Sequence, residues 1–348
     1  MRYDLTKRAT KKRLVEFAKE IKEISGIIGF KVSARGWCYQ LEQNRLIDKS
    51  EFDKVESLIN KCRQKGILPI DFTAEEEGRR FSGVITPDTE TPIEDLRYWI
   101  ENALTTEERY QPDWWGEEEY YIQMVVEKID LKTLFKPICE KYKIPIATSK
   151  GWSSMLQRAI YAKRFKKAEE QGLKPLLLYC GDHDPDGLRI SDFLRKNLND
   201  LKDIVWTNGL DGYDPTNLKI KRFGLNFDFI ERHNLTWINN LITGTKKKSL
   251  KGIGLDNPKH PNHNMPYVQE YIKKIGVRKC EANAIVIIPK IARKFVDFTI
   301  KRYLGMDAEE RFLAKRQAIK DEVQNFREKT GLDKSLREAI RILDEQNK

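Results

Sequence analysis

The sequence predicts an α/β protein in which a doubly wound parallel sheet follows an N-terminal winged helix-turn-helix and precedes a helical C-terminal tail. Three observations lead there. From Tyr121 the chain alternates short apolar runs with helical stretches, the βαβαβα order of a parallel sheet. Before Glu75, three helical stretches end in a short extended run, the outline of a winged helix-turn-helix. After Ile291 the chain is charged and helical, with apolar positions too irregular for a coiled coil.

Composition bounds the reading. A chain of 348 residues has room for two domains with cores of their own, and no apolar run reaches membrane-spanning length. The basic, helical N-terminus lacks the apolar core and cleavage site of a signal peptide. Cys38, Cys62, Cys139, Cys180 and Cys280 are odd in number and never spaced as CxxC, so they are expected to be reduced thiols of a cytoplasmic protein, nucleoid-associated if prokaryotic. The net charge is +11, but residues 75–120 hold fourteen acidic residues against four basic, which leaves the rest of the chain near +21. A surface that basic implies a polyanionic partner, with a merely solvated lysine-rich surface as the plain alternative.

Taken in order, residues 1–22 carry eight basic residues against three acidic, with Leu14, Phe17, Ala18 and Ile21 on one helical face. Ser33 is placed to cap a second helix running towards Asn44. Ser50 is placed to cap a third, Glu51 to Lys65, whose stripe is Phe52, Val55, Leu58, Ile59 and Cys62 and which Gly66 ends. Ile67 to Phe72 reads as extended. Within the second helix Arg35 and Tyr39 share a face. A guanidinium beside a phenol favours the phenolate and also grips a phosphate, whereas a Tyr packed beside Trp37 and Leu41 is the plain reading.

Residues 75–120 form an acidic connector with a helix over 93–104. Next come a strand from Ile122 to Val126 ending at Glu127, a helix from Leu131 to Tyr142, a strand from Ile144 to Thr148, and the turn Lys150-Gly151-Trp152-Ser153 into a helix over 154–171. Leu176 to Cys180 is the third strand. It ends abruptly in Gly181-Asp182-His183-Asp184-Pro185-Asp186-Gly187. Pro185 holds Asp184 out of the helical region and starts a following helix to Asn199. Ligands in open α/β sheets bind outside the carboxyl ends of the strands, so Glu127, Asp182 and Asp184 are a candidate magnesium site. A solvated Asp-rich turn is the alternative.

Asp203 to Thr207 and Leu218 to Phe223 are candidate further strands, and Ala284 to Ile288 a late one beside Glu281, a candidate polar site residue. Lys246-Lys247-Lys248 with Lys251 makes a basic loop. His260 and His263 have a spacing zinc accepts, but lack cysteine partners and read as plain loop.

Glu127 at a strand end together with Gly181-Asp182-His183-Asp184-Pro185-Asp186-Gly187 resembles a Toprim domain, the magnesium-binding fold of topoisomerases, primases and some nucleases. The Asp-x-Asp-Pro-x-Gly run and the Lys150 to Ser153 turn look most like topoisomerase VI A subunits and their relatives, the meiotic double-strand-break transesterase among them. Small stand-alone members from mobile elements are similar too. These relatives carry an upstream winged helix with an Arg-x-x-aromatic-Tyr motif. Arg35 and Tyr39 keep its spacing, while Cys38 replaces the aromatic. The domains would be 1–74 winged helix, 75–120 connector, 121–290 Toprim and 291–348 tail.

The resemblance implies magnesium-dependent cleavage of double-stranded DNA by transesterification. Tyr39 would be the nucleophile, Arg35 its partner, and Glu127, Asp182 and Asp184 the metal ligands. It also implies a homodimer in which the tyrosine of one subunit works with the metal site of the other, and a separate ATPase subunit for strand passage. A Toprim nuclease using water in place of the tyrosine is the alternative enzyme. A DNA-binding protein without catalysis is the alternative outside enzymes.

Overall fold

The structure, a computed structural model, describes residues 10–74, 91–149, 155–204, 206, 212–242 and 252–346. In chain order these form α1 (Lys11–Ile28), α2 (Ala34–Gln43), α3 (Phe52–Gln64), α4 (Pro92–Leu104), α5 (Thr106–Arg109), β1 (Tyr120–Val126), α6 (Ile129–Lys141), β2 (Ile146–Thr148) and α7 (Met155–Glu170). They continue with β3 (Lys174–Cys180), α8 (Pro185–Leu188), α9 (Ile190–Asn199), β4 (Lys219–Gly224), α10 (Phe227–Arg232), α11 (Pro266–Ile275), α12 (Pro289–Leu304), α13 (Ala308–Thr330) and α14 (Leu332–Gln346). Two compact units result, one of residues 1–75 and 118–303, the other of 76–117 and 304–348.

The larger unit is built on an all-parallel sheet of order β2-β1-β3-β4. Its central strands, β1 and β3, are buried on both faces because helices cover both. Along β1, Tyr121 meets Phe165 and Gln123 bonds the Tyr161 carbonyl, so this face packs on α7. Met124, on the opposite face, meets Cys139 of α6. Beside α6, Tyr142 donates to Asp297 of α12, and Phe295 of α12 stacks with Phe223 and Phe229. The chain goes from β1 to β2 on one side and returns past β1 to β3 on the other. The strand order therefore reverses between β1 and β3, and a ligand crevice opens at their carboxyl ends.

The first three helices belong to this same unit. Thr10 caps α1, and Leu14, Phe17, Ala18 and Ile21 are buried, the face that the spacing predicts. Ser33 caps α2 by accepting the Gly36 N–H. The stripe of α3 is buried as expected, and Gly66 closes it in the left-handed region, at φ 66°. The third helix starts differently from the sequence expectation. A 3-10 turn, Lys49–Glu51, precedes it, and the capping box is Asp48 with Glu51, not Ser50. Asp48 wins because Glu51, three residues on, returns a carboxylate to the Asp48 N–H at 2.8 Å.

Two expected strands are not formed, and a third, Asp203 to Thr207, lies only partly among the described residues. Residues 67–72 make turns, with only an isolated parallel bridge from Ala74 to Ser33, so the described residues hold three helices without a wing strand. Asp203 lies in a turn, and neither Ile204 nor Trp206 is in a strand. The run from Ala284 falls in a 3-10 helix, Ala282–Ile287, with Ile288 just after its end. A short, fully buried apolar run carries no period that distinguishes strand from helix. Here the chain is turned at its start by bonds between Cys280 and His183 and from the Ala282 N–H to Asp182. By contrast Leu218 to Phe223 is the edge strand β4.

The smaller unit gathers the acidic segment and the charged tail. Arg327 of α13 donates to the Ala103 and Leu104 carbonyls at the end of α4 and to Glu107 of α5. Arg97 of α4 pairs with Asp344 of α14 at 2.8 Å, and Trp114 packs against Phe312. All five cysteines are buried and free, and among the described residues no helix is long and apolar enough to cross a membrane.

Candidate metal and cleavage centre

The register of β1 and β3 brings the acids together. Val126 pairs with Cys180, and the Glu127 N–H donates to the Cys180 carbonyl, so Glu127 and Asp182 leave the sheet at the same edge. The Asp182 N–H then donates to Glu127 Oε2 at 2.8 Å. Arg222 fixes the loop beneath by bonding the Gly181 and Asp182 carbonyls at 3.1 and 2.9 Å. Asp184 caps α8 by accepting the Gly187 N–H at 2.6 Å. A Cβ on Gly187 would lie 2.2 Å from the Asp182 carbonyl oxygen, so only glycine permits this turn. His183 points away from the acids, donating through Nδ1 to the Leu225 carbonyl at 2.9 Å. Burial lowers its pKa to about 4.

Between the acids sits Lys128, next in the chain after Glu127. Its ammonium donates to Glu127 Oε1 at 3.0 Å and to Asp182 Oδ2 at 3.1 Å. Burial pushes the Glu127 carboxyl up, but the Lys128 charge and the bonds from Asp182 outweigh that and hold it below its ordinary value. Asp182 is raised well above the usual carboxylate range by burial and by the charge of Glu127, which Lys128 only partly offsets. Asp184 is raised by burial against the bond from Gly187.

These acids, Tyr39, Arg35, Lys49 and Glu281 line one cavity of about 550 Å³. Tyr39 projects from α2, its ring edge-on to Phe52 at 5.0 Å. Two ammoniums lie over that ring, Lys49 at 5.7 Å and Lys128 at 5.6 Å from its centroid. Burial and the charge of Glu281 raise the Tyr39 pKa, while Lys128 and Lys49 pull the other way. Glu281 is buried and paired with Lys49 and with Lys279. Those charges overcome its burial and hold it down to about 2.

The structure thus brings Tyr39, Glu127, Asp182 and Asp184 to one cavity, and Arg35 to its wall. Arg35 itself is engaged elsewhere: it pairs with Glu56 at 2.9 Å and Asp53 at 3.3 Å and lies over the Phe52 ring. The cations that lie over the phenol ring are Lys49 and Lys128, neither of them expected from the sequence. Their signal was faint, an adjacency to Glu127 for one and a loop lysine ten residues after Tyr39 for the other. Cys38, in place of an aromatic, is buried and donates to the Phe52 carbonyl at 3.4 Å. His260 and His263 bond backbone groups of their own loop, as a plain loop would. The Lys150 to Ser153 turn and the basic loop at Lys246 to Lys251 lie outside the described residues.

Whether this centre suits magnesium is a question of donors. Among the described residues no three acidic, His or Cys side chains gather closely enough to ligate a metal as they stand. Two carboxylate oxygens nevertheless converge on one position, now taken by the Lys128 ammonium. Magnesium is commonly held by one or two carboxylates, with water and phosphate completing the shell. The crowding that raises Asp182 is what a divalent cation relieves, so the donor set fits.

No protein-family model, curated protein or solved structure matches this chain.

Proposed function

We propose that this chain is a magnesium-dependent DNA-cleaving enzyme that works by tyrosine transesterification, with double-stranded DNA as substrate. The observation that carries the reading is the meeting of Tyr39 with Glu127, Asp182 and Asp184 around one cavity, beneath two lysines. The positive charge of the chain outside its acidic segment supports a polyanionic substrate.

In this reading the Tyr39 oxygen attacks a backbone phosphorus as its proton leaves. The new bond joins that oxygen to phosphorus, the bond from phosphorus to one sugar oxygen breaks, and the departing oxygen takes up a proton. One DNA end remains on the protein as a phosphotyrosine. Lys49 and Lys128 stabilise the phenolate and hold the phosphate beside it. Glu127, Asp182 and Asp184 would hold magnesium, which when bound supplies neutralisation of the phosphate and in-line orientation. Cutting both strands takes two copies of this centre, hence a homodimer on the duplex, and strand passage would call on a separate ATPase subunit.

One observation favours a second reading, hydrolysis by a metal-dependent nuclease. Burial and Glu281 keep the Tyr39 phenol protonated at rest, a handicap that an attacking water does not share. End-labelled duplex incubated with magnesium and then denatured, with and without protease, separates the two. Label trapped on wild-type protein but not on Tyr39→Phe means transesterification. Free fragments from both proteins mean hydrolysis, and binding without cleavage leaves only a DNA-binding role.

A further inference from the structure

The resemblance to topoisomerase VI A subunits implies that tyrosine and metal site meet across a dimer, and the packing of α2 argues otherwise. Gln40, next to Tyr39, donates to the Asn283 carbonyl at 3.3 Å, in the 3-10 helix that follows Glu281. At the start of α2 the Ser33 N–H donates to Asp130 at 3.3 Å, and at its end the Gln43 carbonyl accepts from Thr236 at 3.0 Å. Gly36 lies so close to Asp130 that a Cβ there would stand 2.1 Å from the carboxylate. Just beyond α2, Lys49 pairs with the buried Glu281. The helix that carries Tyr39 is therefore tied along its length, by buried and half-buried groups, to segments of the compact unit that also holds the acids. Lys128 closes the connection, contacting Glu127 and Asp182 while lying over the Tyr39 ring.

We propose that the centre is complete within one chain: the tyrosine of each protomer acts at the acids of that same protomer. This rests on the reading of Tyr39 as nucleophile. Moving Tyr39 to a neighbour would require giving up the Lys49 pairing with the buried Glu281, which would keep Lys279 alone, together with the α2 bonds to Asp130, Asn283 and Thr236. Each protomer then cuts one strand with its own residues, and a dimer serves only to set the spacing of two independent cuts.

Mixed assemblies decide between the two geometries. Two differently tagged chains are co-expressed, doubly tagged species are purified, and covalent label is measured as above. Wild type paired with the double variant Tyr39→Phe/Asp182→Asn retains one intact centre within one chain, so it should trap label at about half the wild-type level. Tyr39→Phe paired with Asp182→Asn has no intact chain and should trap none. The opposite pattern, a dead first pair and an active second, would overturn the proposal while leaving the nucleophile intact. Glu127→Gln replaces Asp182→Asn if that variant melts early. If no doubly tagged species forms, label trapped by a sedimenting monomer supports the proposal directly.

A readout without turnover is cross-linking of Tyr39→Cys/Lys128→Cys by a short bis-maleimide before denaturation, the native cysteines being buried. Linkage within one chain is expected. Linkage solely between chains contradicts it. Absence of any covalent product from wild type would remove the proposed function itself, and this inference with it.

Discussion

At the scale of the residue, the centre is a balance between carboxylates crowded at a sheet edge and the Lys128 ammonium that bridges two of them. Removing that ammonium by Lys128→Met leaves Glu127 and Asp182 facing each other in a buried place. The loss should be about 3 kcal/mol of stability without metal, the order expected when one partner of a buried pair is removed. Magnesium should then raise the melting temperature of the variant more than that of wild type, which thermal melts with and without the ion will register. Equal responses would mean that the ion does not take the position between these two acids. Glu42 offers a test by pH, away from the metal ligands. Burial and the nearby charge of Glu281 raise its pKa to about 7, and its Oε2 has no hydrogen-bond partner among the described residues. The folded state therefore holds a proton that the unfolded chain has lost, and stability falls as pH rises from about 4.5 through 7. Glu42→Gln should melt with wild type near pH 4.5 and above it at pH 8, by up to about 3 kcal/mol. The acids were legible in the sequence because each stands at the end of an apolar run with turn residues behind it. Lys49 and Lys128 were not, since a lysine becomes a site residue only when the fold removes its water, and nothing local announces that.

At the scale of the element, the site depends on two close approaches that side chains larger than hydrogen would block. Gly36→Ala should push α2 away from Asp130, lowering the melting temperature by an amount equivalent to about 1–3 kcal/mol, as overpacking does. It should also reduce covalent trapping beyond what the stability loss explains, because Tyr39 rides on the same helix. Unchanged trapping in the folded variant would mean that the position of α2 does not govern the chemistry. The alternation of apolar runs and helices made the sheet legible, together with the edge at which Glu127 and Asp182 emerge. Elements without a period were not. In the 3-10 helix at Ala282–Ile287 the residues from Ala282 to Val286 are all buried, Asn283 included, so no exposed polar face reveals its geometry. Asp48 displaced Ser50 as a cap through a reciprocal bond with Glu51, a choice between two good capping residues that depends on where the chain turns.

At the scale of the whole molecule, charge is segregated along the chain, with acidic residues concentrated in 75–120 and the remainder strongly basic. Association with duplex DNA should therefore weaken linearly in log-log form as salt rises, with a slope set by the number of phosphates contacted. A salt-insensitive affinity would argue against a phosphate-binding surface. Residues 1–74 and the sheet belong to one compact unit, and the acidic segment joins the charged tail in another. Sequence order suggested four successive pieces, because local composition shows where character changes but not which distant segments share a core. Pairing of Arg327 with groups some 220 positions earlier is of that kind. The central claim is that the Tyr39 oxygen becomes bonded to DNA. Its most direct measurement is mass spectrometry of protein trapped on duplex with magnesium, digested with nuclease and then trypsin. The account predicts a nucleotide adduct on Tyr39 in the peptide Gly36 to Arg45. Cleaved DNA with that peptide unmodified, or an adduct on another residue, would contradict it.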